Sequence, residues 1–549
     1  MNVSEKTARI DAIDQKACKS TAGGRPAKAF LHRFPVPVLL ISVLFGLKAL
    51  YLAFWVTPLW DIPDEIGHFA YVRDIAEGRG IPLLGEAEIG ADIIAHAWHD
   101  PQASPRGNWI AQHPPVYYVL AAIPYKIGTC LTGDVEVLYR LPRLASALSG
   151  ALLLLVLFRT LRAVGLDARR AGAIAAALGF IPMVSHLSSG TNQDVPLLLF
   201  CALATHYWAR YLVERRTRFA YLCALWLTVA GGTKMTAWVI LAPMVLILLV
   251  EMPGPIRTRL WHAAGVCALA ISAPAAWMIR NMLHFGNPFF VSGSGSPGMA
   301  EPLGHSFFYY LHFNPVLEHF IQRFYGMFGH LGTGRGGVLL CHAEGLPLDV
   351  FSVLLWGLAS VAVAYVGVLA CCAMRPIRGR ITDDSVLGWM SGFLERHRCA
   401  RALVIVSFLG ALLLSASIGM ASYKVDSLPG NLRIWAVVLL VFASLAGAAL
   451  LFLTPDPADR VALYGLAVLL FFSAVLLYRV YGAYLGCGFE RAIHGRYFYP
   501  VVPGFLLSIA IALKRLRMPA CVAVAVALAL ACMELDTFVL QAIPFYLGQ

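Results

Sequence analysis

The sequence predicts an all-α polytopic membrane protein of about 13 transmembrane helices, each needing about 20 mostly apolar residues to cross a bilayer. Three observations carry that expectation. Of the 549 residues, 59% are hydrophobic and only 13% are charged, with a mean hydropathy of +0.70, far from the charged fraction of soluble domains. Apolar runs of spanning length recur along the chain, and Lys and Arg gather in alternate connections between them.

The first 34 residues are polar and carry Lys6, Arg9, Lys16, Lys19, Arg25, Lys28 and Arg33. They read as a disordered basic tail on the cytoplasmic side, because short basic segments stay inside. A transmembrane body is expected over 35–536 and a short tail over 537–549. Spans are placed near 35–57, 140–160, 171–187, 195–213, 219–232, 236–250, 260–279, 350–373, 402–420, 434–453, 461–481, 499–513 and 518–536. Starting from an inner N-terminus, the inner connections hold Arg159, Arg162, Arg169 and Arg170, then Arg215, Arg216 and Arg218, then Arg257 and Arg259, Arg375 to Arg401, and Lys514, Arg515 and Arg517. Long connections at 58–139 and 280–348 then lie outside. The stretch "YYVLAAIPYKIGTCL" at 117–131 is apolar, but a crossing there would move every later Arg cluster outside. It is expected to be an interfacial or re-entrant helix. The net charge of +12 is therefore an orientation signal and excludes nothing but a nucleic-acid reading built on charge alone. Among the 12 cysteines no CxxC or zinc spacing occurs. Cys341 and Cys487 both fall in outer connections, where a bridge would need matching geometry.

Long structured loops tend to carry function, and the first outer loop is rich in acids. "PLWDIPDEIGHFAYVRD" at 58–74 places Asp61, Asp64, Glu65 and His68 at i, i+3, i+4 and i+7, one face if a helix begins at Asp61. Helix capping, with Pro63 in the first turn, accounts for the acids but not for His68. Carboxylates with a histidine at a membrane edge can accept a proton from a hydroxyl or bind a divalent cation facing phosphate oxygens. "WIAQHPPVYY" at 109–118 combines an aromatic turn with Gln112 and His113. In "SSGTNQDVP" at 188–196, Asn192 and Asp194 either cap the next helix or form a polar hairpin tip at the membrane edge. "AGGTKMTAW" at 230–238 places Lys234 in an apolar run, where it snorkels or meets an anion. Arg280 in "MIRNMLHFGNP" and Arg496 in "HGRYFYPVVP" stand where spans meet the outer side, as belt anchors or as ligands for a phosphate headgroup.

In this order and on this topology, the motifs resemble the GT-C class of membrane glycosyltransferases. The likeness is greatest to bacterial relatives of lipid A aminoarabinose transferases and protein O-mannosyltransferases, on the pattern PDE..HF.Y near the start and GRY..P near the end. It covers roughly 35–510, each motif being short. The resemblance implies a GT-C-like fold with interfacial helices in the first outer loop, and transfer of a sugar, with inversion, from a polyprenyl-phosphate donor to an acceptor at the outer face. It implies Asp64 as catalytic base, Glu65 as its partner or a metal ligand, and Lys234 and Arg280 as phosphate ligands. His68, Gln112, His113, Asn192, Asp194 and Arg496 complete the expected substrate-binding set. His113 stands where the aminoarabinose transferases carry a basic residue before the double proline. A divalent cation, Mg or Mn, is conceivable on Asp64, Glu65 and Asp194. The expected partners are membrane lipids, the lipid-linked sugar and a glycan, lipid or protein acceptor, without nucleic acid. The expected location is the bacterial inner membrane, with the site facing the periplasm. The alternative is a transporter or flippase for a lipid-linked or anionic glycan. It would use the same cations, but no internal repeat of the kind many transporters carry stands out. A non-catalytic scaffold binding polyprenyl phosphate is a third reading.

Overall fold

The computed structural model describes residues 34–289, 303–330, 339–373, 434, 454, 456–489 and 493–548. Apart from Phe34 and Ile434, the N-terminal tail and the spans expected near 402–420 and 434–453 lie outside them.

Helix α1 (Val36–Tyr51) is primed by proline in its first turn and runs into a π turn at Leu52–Val56. That wider turn frees carbonyls, and Arg143 takes those of Ala53 and Thr57 at 2.8 and 3.0 Å. The first outer connection then folds as a lobe of α2 (Glu65–Ala76), β1 (Glu88–Ile89), α3 (Ala91–Trp98), β2 (Arg106–Gly107) and α4 (Val116–Thr129). Strands β1 and β2 pair antiparallel. The lobe has its own core, in which Trp60, Phe69, Ile93, Tyr117 and Tyr118 are buried. Helix α4 contains Pro124 and spans 14 residues, about 21 Å at 1.5 Å per residue, too short to cross. The non-spanning reading of 117–131 agrees with this.

Next, α5 (Val135–Arg140) and α6 (Arg143–Ala163) form one span. Helices α7 (Ala168–Gly179) and α8 (Pro182–Ser188) form a broken one, bent by 68°. Pro182 lacks the N–H that would continue α7. The freed carbonyl of Gly179 accepts from Lys48 Nζ at 2.9 Å, and that ammonium pairs with Glu534 at 2.8 Å. Helix α9 (Asp194–Glu214) is enclosed by α6, α10 (Thr217–Gly231), α11 (Ala237–Val250) and two C-terminal helices. The long α12 (Ile256–Phe285), short α13 (Phe307–Phe313) and α14 (Val316–Tyr325), and the hairpin of β3 (Met327–His330) and β4 (Leu339–His342) follow. Helices α15 (Leu346–Ala373), α16 (Pro457–Cys487), α17 (Val502–Arg515) and α18 (Ala520–Thr537) complete the bundle.

Among the described residues, six helices are long and apolar enough to cross a membrane, or seven with the bent pair, against the 13 expected. Two reasons account for the difference besides the residues outside the description. Helices α10, α11 and α17 have only 14 or 15 residues. Helix α9 is long enough but packs among other helices, so it tolerates the buried His206, and its last turn carries the partly exposed ion pair Arg210–Glu214. The expected tail 537–549 is instead helical: a π turn at Phe538–Ala542 leads into α19 (Ile543–Leu547). Its Tyr546 hydroxyl lies 3.3 Å from His186 Nδ1. Cys341 and Cys487 are both free thiols.

Candidate active site

The connection after α1 turns sharply. Glu65 N–H donates to the carbonyl of Ile62 at 3.0 Å, and α2 starts only at Glu65. Asp64 is therefore its N-cap residue, in a left-handed conformation at φ +65° without a side-chain cap bond. Such a conformation costs a non-glycine residue of order 1 kcal/mol and collects at functional sites. The expectation that Asp61, Asp64, Glu65 and His68 share one helix face is corrected by this start. The turn sends neighbouring carboxylates in different directions.

Glu65 points into the bundle. It accepts from Arg143 Nε and Nη2 at 2.9 and 2.8 Å, from Trp60 N–H at 2.9 Å and from Thr191 N–H at 2.8 Å. Both partners of this ion pair are fully buried. A buried fork-to-fork pair with every lone pair engaged fixes geometry and leaves no oxygen for a substrate. Glu65 therefore joins the loop, α6 and the hairpin before α9, and is not available as a catalytic partner. Asp64 faces the other way, its side chain 26% exposed, accepting from Trp109 Nε1 at 3.1 Å and from Arg496 Nη2 at 3.4 Å.

The elements around Asp64 are held by close approach. A Cβ on Gly67 would meet Ile110 at 2.7 Å, so only glycine lets α2 lie against the 3-10 turn Trp109–Gln112. On the far side, a Cβ on Gly495 would meet the backbone nitrogen of Phe324 at 2.2 Å. Its absence lets α14 press on the turn that delivers Arg496. At the hairpin tip Asn192 stands one residue ahead of the N-cap Gln193, its Oδ1 accepting from the first helical N–H of α9, at Asp194, at 2.7 Å. Asp194 is left free to bind Lys234 Nζ at 2.5 Å and to pair with Arg496 Nε at 3.4 Å. Lys234 reaches it because α10 stops at the glycine pair Gly231-Gly232, where Val116 N–H of α4 also bonds the Gly232 carbonyl at 3.0 Å.

The result is a charge relay, Asp64 to Arg496 to Asp194 to Lys234, across a pocket of about 140 Å³. Eight expected residues line it: Asp64, His68, Gln112, His113, Asn192, Asp194, Lys234 and Arg496. Burial beside Lys234 pushes the imidazoles of His68 and His113 well below their usual range. His113 is thus a neutral hydrogen-bonding group and not a stand-in for a basic residue. His68 Nδ1 is 2.9 Å from the Tyr118 hydroxyl, which donates to Gln193 at 3.3 Å. Among the described residues Arg496 Nη1 is buried without a hydrogen-bond partner, and burial is outweighed by Asp194 and Asp64, which hold its guanidinium protonated.

Two expected members lie elsewhere. Glu65 is locked to Arg143. Arg280 stacks on Trp277 at 4.6 Å and donates to the carbonyl of Pro82 at 2.9 Å, outside the pocket lining. The three carboxylates expected to share a metal are not brought together, and among the described residues no group of three or more His, Cys, Asp or Glu is arranged around a metal position. Asp64 and Asp194 share Arg496 instead. Sequence reading missed Trp109 as a partner of Asp64, Arg143 as the partner of Glu65, and Arg479 and Tyr497 in the lining. Arg143 and Arg479 carried a signal, each being a charge inside an apolar run.

A multi-pass membrane protein with an ionic pocket where helices end on one side is the class that fold and site define. Residues 112–278, from the pocket's Gln112 through Lys234 into α12, match the family described as dolichyl-phosphate-mannose-protein mannosyltransferase. No curated protein sequence matches the chain. Among solved structures it is similar to the S. cerevisiae protein O-mannosyltransferase Pmt1-Pmt2 complex bound to the sugar donor, at 15% identity over 51% of this chain and 36% of that one, with a TM-score of 0.33. ArnT from Cupriavidus metallidurans bound to undecaprenyl phosphate shares 15% identity over 87% of this chain and 77% of its own, with a TM-score of 0.33. The Archaeoglobus fulgidus oligosaccharyltransferase shares 14% over 90% and 52%, with a TM-score of 0.39. The chain thus spans about a third of the yeast chain's length and about half of the archaeal one. Asp64 and Arg496 lie outside the matched segment, and their place in the site comes from geometry.

Proposed function

We propose that this protein transfers a sugar from a polyprenyl-phosphate donor to a cell-envelope glycan, lipid or protein acceptor at the outer face of the bacterial inner membrane. The observation that carries the reading is the contrast within the relay. Asp194 is buried and held by Lys234 and Arg496, whereas Asp64 is partly exposed, aimed into the pocket and steadied by Trp109. A carboxylate so placed can take the proton of an acceptor hydroxyl as its oxygen attacks the anomeric carbon. The bond from that carbon to the phosphate oxygen breaks, its electron pair remains on the phosphate, and a single displacement inverts the centre. Lys234, at the other end of the relay, and the unpartnered Nη1 of Arg496 face the charge that develops on the leaving phosphate. His68 and His113, being neutral, can hydrogen-bond sugar hydroxyls without competing for the phosphate.

The outward orientation is supported by charge. The basic inner connections expected from sequence meet at the opposite end of the bundle, where Lys514 donates to the carbonyl of Gly165 and Arg170 to that of Met518, and such clusters stay cytoplasmic. The test is reconstitution of purified protein with radiolabelled undecaprenyl-phosphate sugars, following release or transfer for wild type and Asp64→Asn. Equal transfer by both removes Asp64 as the base. Movement of intact lipid between leaflets without sugar release replaces the enzyme by a transporter.

A further inference from the structure

Arg479 is left unused by the mechanism above. It lies in α16, whose crossing segment is otherwise apolar, and it lines the same pocket. Among the described residues it has no hydrogen-bond or ion-pair partner. It is exposed on the same helix face as Phe471, Val475 and Tyr478, at i, i+4, i+7 and i+8. In a membrane protein an exposed apolar stripe of this kind faces lipid. Arg479 therefore stands where the bilayer-facing side of α16 meets the pocket.

Charge distinguishes it from the other cations. The charged side chains lining the pocket are Asp64, Asp194, Lys234, Arg479 and Arg496. Lys234 and Arg496 are paired with the two carboxylates, so these four cancel, and the neutral imidazoles of His68 and His113 add nothing. The single positive charge in excess belongs to Arg479. A sugar linked to a lipid through one phosphate diester carries one negative charge, and an arginine near the headgroup level offers it a planar fork of donors.

We infer that Arg479 captures the phosphate of the incoming lipid donor at the bilayer side of the pocket, with the polyprenyl tail lying along the Phe471, Val475 and Tyr478 face. This rests on the glycosyl-transfer reading and adds to it the residue that makes the pocket selective for an anionic lipid. In the transfer, Arg479 breaks no bond. It holds a non-bridging phosphate oxygen while the acceptor proton passes to Asp64 and the bonding electrons pass to the phosphate.

The test uses the full chain in phosphatidylcholine nanodiscs with undecaprenyl phosphate as the probe and undecaprenol as the uncharged control, binding being read by native mass spectrometry. Arg479→Gln is expected to weaken undecaprenyl phosphate by about tenfold or more, the loss of a charged hydrogen bond. Arg479→Lys is expected to stay within about threefold of wild type, since the charge remains. Undecaprenol binding should be the same in all three. Equal binding of undecaprenyl phosphate by wild type and Arg479→Gln, alongside loss in Lys234→Gln, overturns the role of Arg479 and leaves the donor reading standing. Absence of binding by wild type overturns both. In turnover, Arg479→Gln should raise the KM for the lipid donor and leave that for the acceptor unchanged; a shift in thermal stability alone would mark a mere interface anchor.

Discussion

At the end of the bundle away from the pocket, Glu251 accepts from the Arg460 guanidinium and from the Tyr464 hydroxyl and is paired with Arg215, while Asp459 accepts from Tyr365 at 2.7 Å and Arg515 at 2.8 Å. At the pocket end, two carboxylates face Lys234, Arg479 and Arg496. Both ends bury arginines against acids, and each has a guanidinium nitrogen without a hydrogen-bond partner among the described residues, Arg460 Nε and Arg496 Nη1, but only in the pocket lining does one cation, Arg479, exceed the acids that match the others. At the closed end Glu251, Asp456 and Asp459 match Arg215, Arg460 and Arg515, and the cluster clamps α9, α11, α15, α16 and α17 together. The difference separates charge that holds helices from charge that awaits a ligand. Burial alone does not, because Glu65 and Asp194 are equally buried.

The largest effect comes from splitting two adjacent acids. Asp64→Asn should lower turnover by about 10²- to 10⁴-fold, the range for a lost general base, with the thermal unfolding midpoint in detergent unchanged. Glu65→Gln should do the reverse. It leaves Arg143 buried without its counter-charge, a loss of about 3–5 kcal/mol, seen as low yield and a lower midpoint, with turnover per folded molecule retained. If Glu65→Gln folds normally and is inactive, the separation of holding from reacting charge collapses. Next in size is Glu251→Gln, which leaves Arg215 and Arg460 opposed at the closed end. It should cost about 3 kcal/mol of stability and leave the KM for both substrates unmoved. A changed KM would mean that the two ends are coupled.

A smaller effect follows from Asp61. Burial raises its carboxyl to about 7, against hydrogen bonding from Tyr546 and the Gly329 amide. A folded-state pKa above the unfolded value means that the native protein binds more protons between the two. This contribution is present in full below about pH 4, falls as pH rises towards 7, and is constant above, with a slope of at most about 1.4 kcal/mol per pH unit. Asp61→Asn should flatten that slope in unfolding midpoints measured from pH 4 to 8. An unchanged slope would assign the pH dependence to other groups.

Much of this was legible beforehand, and the reasons for the remainder are physical. The membrane class, the non-spanning helix at 116–129 and eight pocket residues follow from apolar runs, Arg placement and polar motifs at apolar boundaries. Among the described residues fewer helices qualify as spans than expected, because hydropathy registers composition and not enclosure: α9 packs among its neighbours, and α10 stops early at a glycine pair. Asp64 and Glu65 could not be separated by spacing, because the left-handed turn at Asp64 depends on Ile62 accepting from Glu65 and on Arg143 78 residues away. Asn192 and Asp194 each had a capping reading. Neither is the N-cap residue, which is Gln193: Asn192 bonds the first helical N–H, and Asp194 turns to Lys234, whose position spacing does not give.

Arg280 supplies the smallest and sharpest comparison with Arg479. Both are arginines near the outer ends of long helices, and only Arg280 resembled a phosphate ligand in sequence. Its guanidinium is already engaged by the carbonyls of Ile81 and Pro82 at 3.4 and 2.9 Å and by the ring of Trp277. Such an arginine has donors to spare but no freedom to turn them without releasing the loop it holds. Arg280→Ala should therefore change the KM for an undecaprenyl-phosphate sugar by less than about threefold, within the few tenths of a kcal/mol of an exposed contact. It should also speed proteolysis near 81–85, where the loop loses its tether. A tenfold rise in that KM would return Arg280 to the phosphate site and would require α12 to close over the pocket when the lipid binds.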